Sequence, residues 1–136
     1  MAPEPENPGH RQAGTDPHSL PSLTRLVRDF SQAREWGRFH TPKNLAMALA
    51  GEAAELMEPF QWLTPEEADA LGSDPAALER VSQEMADVAI YLLRMADVMG
   101  VDLGDAVVRK VELNDRRFPV DEVRGKARMD DGGEAP

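Results

Sequence analysis

Two pairs of acidic residues interrupt apolar stretches of the chain and are the first candidates for chemistry. Glu52 and Glu55 lie within LAMALAGEAAELM, and Glu84 and Asp87 lie within VSQEMADVAIYLL. The members of each pair are three positions apart, so both carboxylates lie on one face of a helix. Because buried carboxylates repel one another and lose hydration, each pair is either protonated or bound to hard metal ions. The alternative is that both pairs lie on solvated stripes of amphipathic helices.

The types of ligand restrict the choice of metal. Four carboxylates without a histidine suit Mg²⁺, with Mn²⁺ also possible, and disfavour Zn²⁺ or Cu²⁺. A di-iron carboxylate bundle would need Glu-x-x-His pairs, and neither Glu52 nor Glu84 has a histidine three residues later. The chain contains no cysteine, which excludes disulfides and thiolate metal sites.

A second candidate surface combines cations with an amide. Lys110, Asn114 and Arg117 are spaced i, i+4, i+7 and therefore share one helix face. If this face converged with the acidic faces, the site would hold metal ions beside an anion. The alternative is an ordinary solvated face near a helix C-terminus, where cations are favoured.

The apolar spacing is helical nearly throughout and predicts an all-α protein, four helices in an up-and-down, four-helix bundle-like fold. Four cap signals mark where the helices begin: Ser22, Thr41-Pro42, Asp74-Pro75 and Asp102. Four positions mark where they end: Trp36, Pro59, Gly100 and Phe118-Pro119. Thr64-Pro65 is predicted to open one or two short turns within the connector at 60–74.

Composition divides the 136 residues into a folded region and two tails. Residues 1–22 and 121–136 are polar or charged and predict disordered tails, which leaves 23–120 as the domain. The net charge is −10, and the predicted domain is itself acidic, which argues against a nucleic-acid partner. No apolar run approaches the ~20 residues that span a bilayer. We therefore expect a soluble, cytoplasmic protein without a membrane partner.

The few aromatic residues cluster near the predicted helix ends. Trp36 closes the first helix, Phe39-His40 precedes the second, Trp62 follows it, and Tyr91 shares a face with the second acidic pair. These rings either plug a sparse core or form a slot for a flat base, where stacking contributes about 1–3 kcal/mol.

The same stretches carry a resemblance to a known family. FHTPKNLAMALAGEAAELMEPFQW and EMADVAIYLLRMADVMGVDLGDAVVRKVELNDRRFPV resemble the all-α nucleoside triphosphate pyrophosphatases, and the dCTP pyrophosphatase branch of the MazG-like proteins in particular. The likeness covers roughly 23–120. In its dCTP-preferring relatives a histidine on the first helix helps to read the base, whereas this chain has Val27 there, so dUTP or a modified pyrimidine stays open beside dCTP.

The resemblance implies a role for each matching residue. It implies Mg²⁺ ligation by Glu52, Glu55, Glu84 and Asp87. It implies phosphate binding by Lys110, Asn114 and Arg117. It implies a base and sugar pocket of Trp36, Trp62 and Tyr91, with His40 and Asn44 nearby.

Together these features predict a Mg²⁺-dependent enzyme that hydrolyses a (deoxy)nucleoside triphosphate to the monophosphate and pyrophosphate. In this hypothesis Lys110 and Arg117 neutralise the departing pyrophosphate, and Glu55 accepts the proton of the attacking water. Apolar residues on several helix faces, and the family resemblance, predict a homo-oligomer, either a tetramer or a dimer. The alternative function is a non-catalytic helical module whose acidic faces dock a basic partner.

Overall fold

The computed structural model describes residues 16–126, and within this range it contains helices and no strand. The helices are α1 (Leu20–Gln32), α2 (Pro42–Met57), α3 (Pro65–Ala70), α4 (Pro75–Met99), α5 (Leu103–Arg117) and α6 (Val120–Val123). Single turns of 3-10 helix occupy Trp36–Arg38 and Leu71–Ser73. The all-α prediction is confirmed, and α1, α2, α4 and α5 are the four helices that the apolar spacing predicts.

Side-chain caps set most of the helix starts where the sequence places them. Hydroxyl or carboxylate oxygens of Thr41, Asp74 and Asp102 accept hydrogen bonds from backbone N–H groups in the first turns of α2, α4 and α5. Thr64 and Glu67 form a reciprocal capping box at α3, which accounts for the short helix in the connector. Gly100 ends α4 in the left-handed conformation that glycine adopts without strain.

The first helix differs from its predicted bounds at both ends. Ser19 is the cap, and its hydroxyl accepts a hydrogen bond from the Ser22 N–H, so the predicted cap at Ser22 is wrong. The helix ends at Gln32 instead of Trp36. The reason is local, because Glu35 has a left-handed backbone with φ of 55°, which an α-helix cannot contain. Trp36 therefore lies in a separate turn that sets the direction of its ring.

The predicted tails are also shorter than their proposed bounds. Residues 20–22 belong to α1, and residues 121–123 belong to α6. Of the remaining tail residues, 16–19 and 124–126 are described outside these helices, and 1–15 and 127–136 lie outside the described residues. The placement of the domain at 23–120 stays a prediction.

Two compact units follow one another along the chain and divide at Gly100. In the first unit α4 packs against both α1 and α2. Helices α2 and α4 run antiparallel, since His40 just before α2 contacts Arg94 late in α4, whereas Glu55 late in α2 lies beside Glu84 early in α4. This pairing brings the two acidic pairs to the same part of the interface.

The core between these helices is small. Its buried apolar side chains are Leu45, Ala77, Val81, Leu93 and Ala96. Large apolar side chains remain exposed on α1 and α4, including Leu26 at 63% and Phe30 at 50%. Such a surface is typical of helices that bury a further face against a partner, and the homo-oligomer stays a prediction.

The second unit contains α5 and α6. An ion pair between Asp105 and Arg109 links successive turns of α5. Lys110, Asn114 and Arg117 are spaced along one face of this helix, as predicted, and the Arg117 guanidinium lies 5.1 Å from the centre of the Phe118 ring. Among residues 16–126 no helix is both long enough and apolar enough to cross a membrane.

Candidate active site

Carboxylates from α2 and α4 converge at the antiparallel interface. Glu52, Glu55 and Glu84 each offer an oxygen, and these three oxygens lie within 4.8 Å of one another. Asp87 is close enough that its charge raises the pKa of both Glu52 and Glu84. The two acidic pairs therefore face each other rather than lying on separate solvated stripes.

This cluster is electrostatically unfavourable without a cation. Burial, followed by repulsion from Glu55 and Asp87, raises the pKa of both Glu52 and Glu84 above the usual range of a glutamate. The Oε2 atom of Glu84 is buried and has no hydrogen-bond partner. Buried polar atoms are normally paired, so an orphaned carboxylate oxygen indicates a missing partner. An all-oxygen cluster of this kind fits a hard divalent cation.

A cavity of about 310 Å³ adjoins the cluster and joins acidic, aromatic and cationic groups. The side chains that line it are Val27, Phe30, Ser31, Trp36, His40, Glu52, Glu55, Asp87, Ile90, Tyr91 and Arg94. The Trp36 ring packs edge-on against Phe30 and His40, with centroids 5.8 and 6.3 Å apart. Flat apolar walls beside a carboxylate cluster can hold a planar ring next to a cation-bound anion.

A charged network borders this cavity and connects three parts of the first unit. The Nε atom of Arg28 on α1 donates to both carboxylate oxygens of Asp97 at 3.1 and 3.0 Å. Arg94 donates to Asp97 Oδ2 at 2.6 Å and to His40 Nδ1 at 3.1 Å. The hydrogen bond from Arg28, which outweighs burial, holds the pKa of Asp97 below its usual range. Burial and then the Arg94 charge lower the pKa of His40.

Two predicted pocket residues do not line the cavity. Trp62 is 86% exposed, after the end of α2. Asn44 is exposed, and its side-chain amide donates to the Phe39 carbonyl at 3.0 Å, which steadies the turn before α2. Among residues 16–126, neither side chain forms a hydrogen bond with the acidic cluster, and their substrate roles stay predictions.

The predicted phosphate ligands Lys110, Asn114 and Arg117 lie on α5, in the second unit. Their participation in the site therefore also stays a prediction.

The sequence reasoning missed three polar residues of this region. Arg94 is only 8% exposed and lines the cavity, and Asp97 pairs with it. Ser31 is 2% exposed, lines the cavity and donates its hydroxyl hydrogen to the Val27 carbonyl at 3.0 Å. The criterion that singled out Glu84 would have found Arg94 and Asp97 too, since both are charged residues within the apolar stretch IYLLRMADVM.

Several known proteins are similar in sequence to this chain. The sequence model of the MazG-like family matches residues 48–129. Human dCTP pyrophosphatase 1 is 39% identical over 121 residues, which cover 89% of this chain and 71% of the human protein. Bovine dCTP pyrophosphatase 1 is 40% identical, covering 80% of this chain and 64% of the bovine protein, so the chain spans about two thirds of these relatives.

A solved structure shows the same architecture. The crystal structure of a pyrophosphatase from Archaeoglobus fulgidus superposes with a TM-score of 0.69 at 40% identity, covering 75% of this chain and 94% of that one. The family model matches more than half of this chain and the relatives are about 40% identical to it, so the chain belongs to the MazG-like family.

Proposed function

We propose that this chain hydrolyses a (deoxy)nucleoside triphosphate, dCTP or a related pyrimidine, to the monophosphate and pyrophosphate. The chain is a nucleoside triphosphate diphosphatase. The observation that carries the proposal is the convergence of Glu52, Glu55 and Glu84 on one point beside a cavity with aromatic walls. The name of the relatives, dCTP pyrophosphatase, supports the class of substrate.

The acidic cluster would hold the metal. Glu52, Glu55, Glu84 and Asp87 present only oxygen ligands, which suits Mg²⁺ or Mn²⁺. When bound there, the ion supplies positive charge that neutralises phosphate oxygens and makes phosphorus more electrophilic. The orphaned Oε2 of Glu84 supports this assignment, because a cation would give that oxygen its partner.

The other residues of the chain would bind the nucleotide and move protons. Trp36 and Tyr91 stack against the base in the cavity. Glu55 is the most exposed of the three clustered glutamates and accepts the proton of the attacking water. The water oxygen forms a bond to the α-phosphorus, the bond from that phosphorus to the bridging oxygen breaks, and pyrophosphate leaves with its charge neutralised by Lys110 and Arg117.

A substrate panel tests the proposal directly. Pyrophosphate release is measured from each of the four dNTPs, from dUTP and from 5-methyl-dCTP, with Mg²⁺ and with EDTA. We expect Mg²⁺-dependent release that is fastest with a pyrimidine, and equal amounts of nucleoside monophosphate and pyrophosphate. A panel without turnover would contradict the proposal and favour a docking module for a basic partner.

The raised pKa values predict how pH affects the stability of the metal-free protein. Because folding raises the pKa of Glu52 and Glu84, the folded state binds protons more tightly than the unfolded chain. Their contribution to stability is therefore greatest below about pH 4.3, the ordinary glutamate pKa, and it falls as the pH rises through the raised values. Thermal unfolding in EDTA should show the Tm of Glu84→Gln exceeding that of wild type by an amount that increases with pH in this window.

Magnesium provides the matching control for this pH series. The ion stabilises the ionised cluster, so Mg²⁺ should raise the Tm of wild type more at pH 7 than at pH 4.5. If the Tm difference between wild type and Glu84→Gln in EDTA did not change with pH, the electrostatic interpretation would be contradicted.

A further inference from the structure

The charged network beside the cavity has a consequence for one ring of the cavity wall. Arg94 is 8% exposed and uses two sides of its guanidinium, one toward Asp97 and one toward His40. Asp97 is held in turn by Arg28, whose Nε atom donates to both of its oxygens. The hydrogen bond to Asp97 therefore fixes the position of the Arg94 guanidinium relative to His40.

The direction of the hydrogen bond to His40 determines where the imidazole carries its proton. A guanidinium only donates, so Nδ1 of His40 must be the acceptor and carry no hydrogen. A neutral imidazole has one N–H, which is then on Nε2. Burial and the positive charge of Arg94 lower the pKa of His40, so this neutral form predominates at neutral pH.

The remaining nitrogen is available to a ligand. His40 lines the cavity together with Trp36 and Tyr91, and its Nε2 has no hydrogen-bond partner among residues 16–126. Aromatic rings on the same cavity favour a planar base as the neighbour of this N–H. A donor can pair with O2 or N3 of cytosine and with O2 or O4 of uracil, and O2 is the acceptor that the two bases share.

We infer, on the basis of the proposed function, that Arg94 is a positioning residue: it holds His40 as the Nε2–H tautomer, so that the ring donates a hydrogen bond to the O2 carbonyl of a bound pyrimidine. The network thus contributes to recognition of the pyrimidine ring without distinguishing dCTP from dUTP. Arg94 acts through His40 and contacts neither the base nor the phosphates in this assignment.

Two matched variants separate this role from simple support of the fold. Arg94→Met and Arg28→Met each remove one guanidinium from Asp97, but only Arg94 contacts His40. In ¹⁵N-labelled protein without nucleotide, the imidazole nitrogen shifts of His40 report the tautomer directly, and the signals are assigned by their loss in His40→Gln. We expect the Nε2–H pattern in wild type and in Arg28→Met, and a shift toward a mixture of tautomers in Arg94→Met.

The kinetic part of the experiment uses dCTP, dUTP and 2-thio-dCTP. Loss of one hydrogen bond should raise KM for dCTP and dUTP equally, by about 3- to 10-fold, in Arg94→Met with kcat within about 2-fold. Wild type should prefer dCTP to 2-thio-dCTP, because sulfur is the weaker acceptor, and Arg94→Met should lose most of this preference. In His40→Gln the glutamine amide N–H can donate to the base whether or not Arg94 is present. The double variant His40→Gln/Arg94→Met should therefore have the same KM as His40→Gln alone.

Several results would overturn the inference. These are an Nδ1–H or doubly protonated His40 in wild type, equal KM changes in the two arginine variants, or equal use of dCTP and its 2-thio analogue by wild type. If Arg94→Met does not fold, Arg94→Lys replaces it, because lysine keeps a cation for Asp97 but lacks the guanidinium fork. The same change in the His40 nitrogen signals is then expected. Absence of turnover by wild type would contradict the proposed function alone, because the NMR measurement would still decide whether Arg94 sets the tautomer.

Discussion

Replacement of Glu84 by Gln is expected to reduce kcat/KM for Mg²⁺-dependent pyrophosphate release by at least about 100-fold, the loss typical of removing one group that stabilises transition-state charge. The variant keeps the shape of the side chain and loses only its charge. An oxygen of Glu84 lies within 4.8 Å of oxygens of Glu52 and Glu55, and its Oε2 is buried without a partner, which makes it a proposed ligand of the ion. Initial rates at varied nucleotide and Mg²⁺ concentrations measure the effect.

The fold should survive this substitution. Removing one charge from a group of like charges relieves repulsion, so the metal-free variant should unfold at a higher temperature than wild type, and Mg²⁺ should raise its Tm less. Asp87→Asn is likewise expected to raise the Tm of the metal-free protein and to reduce the rise in Tm that Mg²⁺ causes. Full activity of Glu84→Gln would contradict the metal assignment.

Glu58 provides the matched control. It lies near enough for its charge to raise the pKa of Glu84, yet it is outside the set of three converging carboxylates. Glu58→Gln therefore removes a neighbouring negative charge without removing a proposed ligand, and its kcat/KM should stay within about 3-fold of wild type. A loss as large as that of Glu84→Gln would show that the general negative potential matters, rather than the ligand position.

Replacement of Asp97 by Ala is expected to lower the free energy of unfolding by about 3 kcal/mol, the lower end of the range for breaking a buried ion pair. The Asp97 side chain is 11% exposed and accepts hydrogen bonds from two arginines on different helices. Its loss leaves the buried Arg94 with a charge and no carboxylate. Urea unfolding, with the slope m compared between variants, measures the change.

Acid provides a test of the same contact. The pKa of Asp97 is lowered by folding, so its stabilisation is fully present above about pH 4 and disappears as the pH falls through the lowered value. The difference between wild type and Asp97→Ala should therefore shrink only below about pH 4. An Asp97→Ala protein as stable as wild type at pH 7 would show that the network is dispensable for folding.

Local patterns in the sequence were sufficient to predict the helices and to place each acidic pair on one helix face. The caps at Thr41, Asp74 and Asp102 work through neighbours three residues away or less, so the sequence alone contains what they need. Glu84 and Asp87 share a helix face because of the 3.6-residue period. The start of α1 was the exception, since Ser19 and Ser22 both offer a hydroxyl and the spacing of apolar residues does not choose between them.

Contacts between distant segments were not predictable in the same way. The bonds from Arg94 to His40 and from Arg28 to Asp97 join residues 54 and 69 positions apart, and no local periodicity encodes them. Arg94 and Asp97 could have been singled out as charges in an apolar stretch, but their partners could not. The family resemblance implied Trp62 as a pocket residue; its ring is exposed in this structure, and its substrate role stays a prediction.

The sequence by itself determined that this chain forms helices, that two of them carry paired carboxylates on one face, and that the family is MazG-like. Each of these properties depends on residues within a few turns of each other or on direct comparison of residue order. Only the tertiary structure decided that the pairs meet, that one glutamate oxygen has no partner, and that an arginine network holds a histidine at the cavity wall. Those facts depend on the antiparallel packing of α2 on α4, with α1 on the same α4, which sets distances that no spacing along the chain contains.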